Sequence, residues 1–444
     1  MITIISDVHL RDEPTRTIDS RATEGFLTEN LVPQIVDAKA GQVTVIFLGD
    51  FVDINRSTYW VDGSSGTYVP WSHWKETLNT ITPGSVTPDS GFNSAEFERH
   101  IIAVLEKIRS ANIRNYQLWE RFKSLNKEVW GNGGHRPKSI SFLFVPGNHD
   151  RLVQYSEATR RKLVQDLKLD QNPQQKFPWT IFDAPHSLLG FHGQAIDPMN
   201  FGGKENEPKD FEKDPWYDFP ALGDVVTITL GVKLYQRFND DQTIQNMLAD
   251  IDLVRPQVAA LRWLLQRIAG NASLKQTLDA HIARLANEFL DDEFVKWNLS
   301  GWDKFRLWLV GRPESLEEAL GLFQKIGGDE QTQEEYADEM MKKIMKGNFM
   351  EWYNKTYPSA PNIVSGHTHH ALLTPILGES SARPQAMHYF NTGTWLDVVE
   401  AGRGIGFARR SQIAHATFYQ NGEDVKAGNK RSYWEFWQGN LRVS

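Results

Sequence analysis

Ile140-Ser141-Phe142-Leu143-Phe144-Val145-Pro146-Gly147-Asn148-His149-Asp150 is the stretch on which the reading of this chain turns. An apolar run breaks at Pro-Gly, and three polar side chains able to bind a metal follow at once. A buried strand that hands ligands to its carboxyl end looks like this. The pattern recurs at Ile2-Thr3-Ile4-Ile5-Ser6-Asp7-Val8-His9 and at Val43-Thr44-Val45-Ile46-Phe47-Leu48-Gly49-Asp50. It recurs again at Leu188-Leu189-Gly190-Phe191-His192-Gly193 and at Asn362-Ile363-Val364-Ser365-Gly366-His367-Thr368-His369. Five strand ends, each offering Asp, Asn or His, point to one shared metal site.

The residue types at these ends set the chemistry. Asp7 and His9 are two apart, so on a regular strand they share a face and reach one cation. Asp50 follows Gly49, whose missing side chain lets the backbone and a metal approach closely. A carboxylate has two oxygens and can bridge two cations. Asn148 offers a neutral carbonyl, His192 an imidazole, and His367 and His369 stand two apart behind Gly366. The chain has 0 Cys, so disulfides and thiolate sites are excluded and the ligands are nitrogen and oxygen. Two Asp, one Asn and four His suit a pair of first-row divalent metals. Such a pair, about 3.5–4 Å apart, clamps the attacking and leaving oxygens of an in-line displacement at phosphorus.

The bulk composition frames this site. The 444 residues allow one large elaborated domain or two modest ones, with length to spare for a core. At 40% hydrophobic and 23% charged, the composition is that of an ordinary globular protein. No stretch approaches the roughly 18 apolar residues of a membrane span. The chain enters a strand at once, without a basic and apolar leader, which points to the cytoplasm. A net charge of −8 leans away from a long-duplex DNA binder, although a local basic stripe is compatible with it. The 15 Trp read as core and helix packing, or as a surface for stacking a base or sugar.

Along the chain, residues 1–51 read strand, loop, helix, strand: a βαβ unit. Thr23 to Ala38 is its crossover helix, with Pro33 expected to kink or shorten it. Val61 to Ser90 reads as a long loop, and Ser94 to Asn126 as a helix capped by Ser94; both fall in an insertion over residues 53–137. Leu152 to Leu169 is a further helix whose Arg-Arg-Lys run reads as a solvated face. Asn200 to Asp218 is a polar break, and a helical block follows from about Thr243 to Thr356. Its stripes are Ala259, Leu261, Leu264, Leu265 and Ile268, then Leu278, Ile282, Leu285 and Phe289, then Glu334 to Tyr353. Late strands are expected at Met387–Asn391, Ile413–Tyr419 and Ser432–Trp437, with turns at Asn421-Gly422 and Asn429-Lys430. Residues 1–200 and 358–444 are thus two parts of one core, and residues 201–357 a mainly helical insertion or cap.

The ordered set Asp-Val-His, Gly-Asp-Phe-Val-Asp, Gly-Asn-His-Asp, His-Gly and Gly-His-Thr-His resembles the calcineurin-like metallophosphoesterase superfamily. The resemblance covers the start, middle and tail of the chain, but not residues 53–137 or the helical block. It implies an α/β fold, a four-layer α/β/β/α sandwich with two mixed sheets, to which the helical insertion is added. It implies that Asp7, His9 and His369 hold one divalent metal, that Asn148, His192 and His367 hold the other, and that Asp50 bridges. Manganese is the expected ion, with iron or zinc as alternatives. A hydroxide bridging the metals would attack phosphorus, His149 would donate to the leaving oxygen or steady the phosphoryl charge, and Asp150 would orient His149. Asp53 reads as a hydrogen-bonding partner of these groups rather than a ligand. Asn391-Thr392-Gly393-Thr394 resembles the supporting strand-turn of the family.

Some positions keep two readings. His192 is preferred to nearby His186 because a strand run precedes it and Gly193 follows. Arg11, Arg56 and Arg151 flank the motifs and are placed either to contact a phosphate or to form surface salt bridges. His370 is expected to point away from His369. The remaining His residues carry no motif. The leading functional expectation is hydrolysis of a phosphodiester, in a nucleotide or nucleic acid. The second is a phosphomonoesterase or nucleotide pyrophosphohydrolase with the same dimetal chemistry; a non-catalytic scaffold is a distant third. The helical block lies between His192 and His367 and is expected to overhang the site as a lid.

Overall fold

The five apolar runs are strands in the computed structural model of the protein. It describes residues 1–12, 18–61, 95–132, 134–197, 199–201, 217, 220–238, 240–251, 253–255, 259–298, 313, 315, 318, 332–345, 356, 362–376, 387–401, 406–420, 423 and 433–439. The Val61–Ser90 loop after its first residue, the Ser94 cap and both late turns lie outside these residues.

The described strands are, in chain order, β1 (Ile2–Ile5), β2 (Gln42–Leu48), β3 (Ser139–Val145), β4 (Thr180–Asp183), β5 (Leu188–Phe191), β6 (Val254–Arg255) and β7 (Asn362–Ser365). After them come β8 (Ala371–Ile376), β9 (Met387–Thr392), β10 (Val398–Ala401), β11 (Phe407–Arg410), β12 (Ile413–Tyr419) and β13 (Tyr433–Gly439). They form a mixed α/β structure with two five-stranded sheets, ordered β13-β12-β1-β2-β3 and β4-β5-β7-β9-β8, and a three-stranded sheet β11-β10-β6. In the first, β1, β2 and β3 are parallel while β12 pairs antiparallel with both β1 and β13. In the second, β5, β7 and β9 are parallel and β4 and β8 are antiparallel edges. Parallel centres put the carboxyl ends of β1, β2 and β3 side by side, and likewise those of β5 and β7.

The strands read as unbroken apolar runs because both of their faces are buried. Alternate residues serve different cores, as the two-residue period of a strand requires. Ile2, Ile4, Ile46, Leu48 and Val145 join Leu188, Val364 and Phe390 in a small cluster drawn from both large sheets. Ile5, Val43, Val45, Phe47, Phe142 and Phe144 point the other way, into the main core. Phe390 meets Phe418 edge-on across the two sheets with centroids 5.4 Å apart. Each fully buried side chain of this size contributes about 1.5–3 kcal/mol, so the face-to-face cluster holds the two sets of Asp- and His-bearing strand ends in one place.

The crossover helix keeps its length in spite of Pro33. It runs as Ser20–Gly25, a π-helical turn Phe26–Leu31, and Val32–Ala38, and stops at Lys39 in a left-handed conformation. Proline gives no N–H and its ring crowds the carbonyl four residues back. The wider π turn just before Pro33 relieves that crowding without breaking the helix. The helix expected from Ser94 to Asn126 is split into Ala95–Ala111 and Ile113–Lys123. At the break, the Asn112 amide donates to Arg11 O at 2.6 Å and Ile108 O at 2.8 Å, so helix continuity gives way to a clamp on the chain leaving β1. Leu152–Leu169 is also two pieces, a 3-10 turn Arg151–Gln154 and a helix Glu157–Leu167 capped by Ser156. In its basic run Arg160 is buried and donates to Pro173 O and Gln154 O, which corrects the solvated-face reading for that residue.

Between β5 and β7 the described helices include Leu222–Val226, Gln242–Ile251, Ala260–Ile268, Ala272–Asp291 and Gln333–Met345. Leu278, Ile282, Leu285 and Phe289 form one buried stripe, as their spacing predicts. This segment also contains β6, which pairs in parallel with β10 through Val254 with Val399 and Arg255 with Glu400. Among the described residues no helix is long and apolar enough to cross a membrane.

Candidate metal centre

The predicted ligand residues sit past the strands rather than on them. Asp7, His9, Asp50, His367 and His369 all have positive φ, from 51° to 69°. Asp7 and His9 therefore do not share a strand face. β1 has ended, and Asp7 N donates to Gly49 O at 3.1 Å while His9 N donates to Asp50 O at 2.8 Å. A left-handed non-glycine residue is uncommon, and clusters of them mark functional sites. The neighbouring glycines permit the crowding. A side-chain carbon on Gly49 would collide with the His192 ring, and one on Gly366 with the Asp7 carboxylate and Ser6 Oγ. The Asn391–Thr394 turn holds the other side. Thr394 Oγ1 donates to Asp7 O at 2.8 Å, and Asn391 Nδ2 to Gly366 O at 2.6 Å.

All seven predicted metal ligands converge. Three groups place their ligand atoms within 4.8 Å of one another: Asp7, His9 and His369; His9, Asp50 and His149; and Asp50, His192 and His367. His369 Nε2 lies 3.3 Å from Asp7 Oδ1, and His9 Nε2 lies 3.8 Å from it. Asp50 Oδ2 is 3.0 Å from His192 Nε2 and 3.9 Å from His9 Nε2, so this carboxylate stands between the two sets. Asn148 Oδ1 is 3.0 Å from His367 Nδ1.

The outer nitrogens explain why the rings face inward. His192 Nδ1 donates to Leu48 O at 2.9 Å, His9 Nδ1 to Asp53 Oδ2 at 3.2 Å, and His367 Nε2 to Asp197 Oδ2 at 3.1 Å. A neutral imidazole that spends its one N–H on an outer acceptor turns its lone pair to the centre, as a metal ligand must. His369 differs. Its Nδ1 accepts from Arg255 Nε at 3.1 Å, which leaves the proton of the neutral ring on Nε2, facing His9.

Charge completes the picture. Burial would lower His9 and His192, but hydrogen bonding to Asp53 raises His9 to about 9, and the charge of Asp50 raises His192 to about 10. Burial would raise Asp7, yet the charge of His192 and hydrogen bonds from His369 and His9 hold it well below the usual carboxylate range. Asp50 and Asp53 are lowered in the same way, against their burial, by His192 and His149 respectively. The centre is thus short of positive charge and holds protons where cations fit. Buried nitrogen and oxygen donors with inward lone pairs match a divalent first-row ion. These buried His and Asp clusters could hold a metal ion.

Asp53, not Asp150, orients His149. His149 Nδ1 lies 2.7 Å from Asp53 Oδ1, and the same carboxylate takes His9 and, at 2.9 Å, Arg11 Nε. Asp150 instead accepts backbone N–H bonds from Phe51 at 2.8 Å and Gly147 at 2.6 Å. It fastens the turn after β2 to the turn after β3. Burial and the nearby Asp50 push its carboxyl up to about 7. The His149 side chain is 15% exposed, whereas those of His9 and His192 are sealed, so His149 can meet a group arriving from solvent.

The flanking arginines are neither surface salt bridges nor solvent-facing. Arg11 is buried against Asp53, Arg151 is ion-paired with Asp224, and Arg56 donates to Thr227 O at 3.5 Å. His186 pairs with Asp183 at 2.7 Å and His370 lies 3.8 Å from Glu400, both apart from the centre. An open cavity of about 1040 Å³, lined in part by Lys233, Arg237, His281 and Arg284, includes none of the ligands.

Sequence reasoning missed Asp197, Tyr336 and Arg255. Asp197 Oδ2 receives His367 Nε2, Tyr336 Oη at 2.8 Å and Asn200 Nδ2 at 2.7 Å. Burial would raise its carboxyl, but the hydrogen bond from His367 holds it down at about 2. The available signal was a carboxylate five residues after His192. Tyr336 and Arg255 belong to the inserted segment and carry no local pattern. Compared with models of known protein families and with curated proteins, the chain matches none.

Proposed function

We propose that the protein is a dimetal-dependent phosphoesterase of the calcineurin-like superfamily, hydrolysing a phosphodiester in a nucleotide or nucleic acid. The observation that carries this reading is Asp50, whose carboxylate lies between a set of Asp7, His9 and His369 and a set of Asn148, His192 and His367. In this reading the first set holds one divalent ion and the second set the other, with manganese expected and iron or zinc as alternatives. Ions so held supply Lewis acidity, which acidifies water near neutral pH and offsets phosphoryl charge. The two five-stranded sheets and their flanking helices are read as a four-layer α/β/β/α sandwich.

The chain's own groups would do the rest. Asp53 fixes the His149 ring through Nδ1, which leaves Nε2 to carry a proton to the departing oxygen. Asp150 holds the Gly147 and Phe51 backbones and so sets where His149 and Asp50 stand. Hydrolysis of bis-p-nitrophenyl phosphate against p-nitrophenyl phosphate, with manganese added to metal-stripped protein, tests the reading. Faster diester cleavage supports it. Monoester preference moves the substrate class, and no manganese-dependent turnover of either ester ends it.

A further inference from the structure

Beyond residue 220, the segment between His192 and His367 reaches back toward the centre from three of its described elements. Asp224, on the Leu222–Val226 helix, is ion-paired with Arg151 and accepts from Asn55 Nδ2 at 2.7 Å; that amide also reaches Asn148 O at 3.3 Å. Arg255, on β6, donates to His369. The Gln333–Met345 helix makes the third contact, and it is double. Gln333 Nε2 donates to Thr368 O, between His367 and His369, and Tyr336 Oη donates to Asp197 Oδ2, the acceptor of His367 Nε2. Residues three apart project from one face of a helix, so a single helical face holds the turn that carries two ligands.

We infer that Tyr336 is a positioning residue that acts through Asp197 on His367, and that docking of the Gln333–Met345 helix is linked to cation binding by Asn148, His192 and His367. The inference rests on the dimetal reading above and names what sets the affinity of one of its two sites. His367 can present Nδ1 inward only while Nε2–H has an acceptor. Asp197 is that acceptor, and its rotation is fixed by the donors it collects. Oδ1 takes Met199 N at 2.9 Å, while Oδ2 takes His367, Asn200 and Tyr336. Tyr336 is the one of these donors that comes from the inserted helix. Linkage is reciprocal: whatever the docked helix contributes to cation affinity, the cation returns as helix stability. The inserted segment is then a working part of the coordination shell, not a lid that only covers it.

The test is manganese binding by calorimetry, together with amide exchange over residues 333–345 with and without manganese. Wild type is expected to take up two manganese ions and to gain protection in this helix. Tyr336→Phe is expected to weaken one of the two ions by about ten-fold and to lose most of the added protection. Combined with Asp197→Asn, it should add nothing further, because both act through one carboxylate. Lys342→Ala, at an exposed pair with Asp338 on the same helix, should behave as wild type. Unchanged manganese affinity in Tyr336→Phe overturns the linkage and leaves the dimetal reading standing. Wild type that takes up no manganese overturns both. If Tyr336→Phe does not fold, wild type still decides: bound manganese without added protection in residues 333–345 overturns the linkage.

Discussion

The Nε2 atoms of His9 and His369 stand 3.0 Å apart although the residues are 360 positions apart in the chain. Two imidazole nitrogens at this distance, beside an Asp7 oxygen, share either a proton or a cation. Cation binding therefore displaces protons. With His9 raised to about 9 and His192 to about 10, manganese uptake at pH 7 is expected to release about two protons, one from each ring. Calorimetry in two buffers of different ionisation enthalpy measures this, and uptake without proton release would contradict the arrangement.

The same shifts set the pH dependence of the cation-free protein. A group raised in the folded state stabilises it fully below the unfolded value, and that contribution is lost as pH climbs through the folded value. For His9 and His192 the loss runs from the ordinary imidazole value of 6.5 up to about 9 and about 10. Asp7 and Asp53 are lowered, so their contribution is present above 3.8 and lost as pH falls through their depressed values. Urea midpoints of chelated protein are expected to decline steadily from about pH 6.5 toward pH 10; below that range burial lowers His100, His369 and His415, which draws stability down again as pH falls. A midpoint still rising from pH 7 to 10 would count against the assignment.

Asp50→Asn is expected to abolish turnover and to lower metal content at both positions together, because the lost oxygen charge faces His9 and His192 alike. Loss of an outer partner of a metal ligand costs about 10–100-fold. A ligand shared by both sets should cost more than about 100-fold. Elemental analysis beside the diester assay reads both quantities, and full activity in the variant refutes the shared role.

His149→Ala, Asp53→Asn and Asp150→Asn should separate cleanly. The first removes a proton carrier and is expected to slow turnover by about 10²–10⁴-fold with metal retained. The loss should be smallest for esters with acidic leaving groups. The second frees both His149 and His9 and should weaken metal binding as well. The third strips acceptors from Phe51 and Gly147 and is expected to act first on folding stability. Leaving-group dependence, metal content and denaturation midpoints in parallel distinguish them.

Arg255→Gln is expected to tighten manganese at the Asp7, His9 and His369 set by about ten-fold, on the scale of screened charges a few ångströms apart. A cation on His369 Nε2 puts the ring proton on Nδ1, where Arg255 also offers a proton. Gln supplies an acceptor and removes the charge. Weaker binding in the variant would show that the guanidinium supports His369 rather than opposing it.

The strand-end motifs were legible because each is local. An apolar run, a glycine and a ligand fall within about eight residues, and Asp7, His9, Asp50, Asn148, His192, His367 and His369 all came from such windows. Longer-range partnerships were not. Asp53 and Asp150 are both carboxylates within motifs, and only the three-dimensional path decides that Asp53 reaches His149 while Asp150 turns to backbone N–H groups. β6 has two residues, too short for any period to register, yet it carries Arg255 to His369. Pro33 was expected to kink or shorten the helix because a π turn has no sequence signature.

The left-handed backbone at Asp7, His9, Asp50, His367 and His369 puts a conformational load on the fold. Each such residue costs about 1 kcal/mol relative to a relaxed conformation. The five together approach the net stability of a whole domain, about 5–15 kcal/mol. Glycine at any of them would relieve the strain by a single substitution. Side chains at these five positions therefore carry strain that the surrounding hydrogen bonds, among them Asp7 N to Gly49 O and His9 N to Asp50 O, must offset in the folded chain.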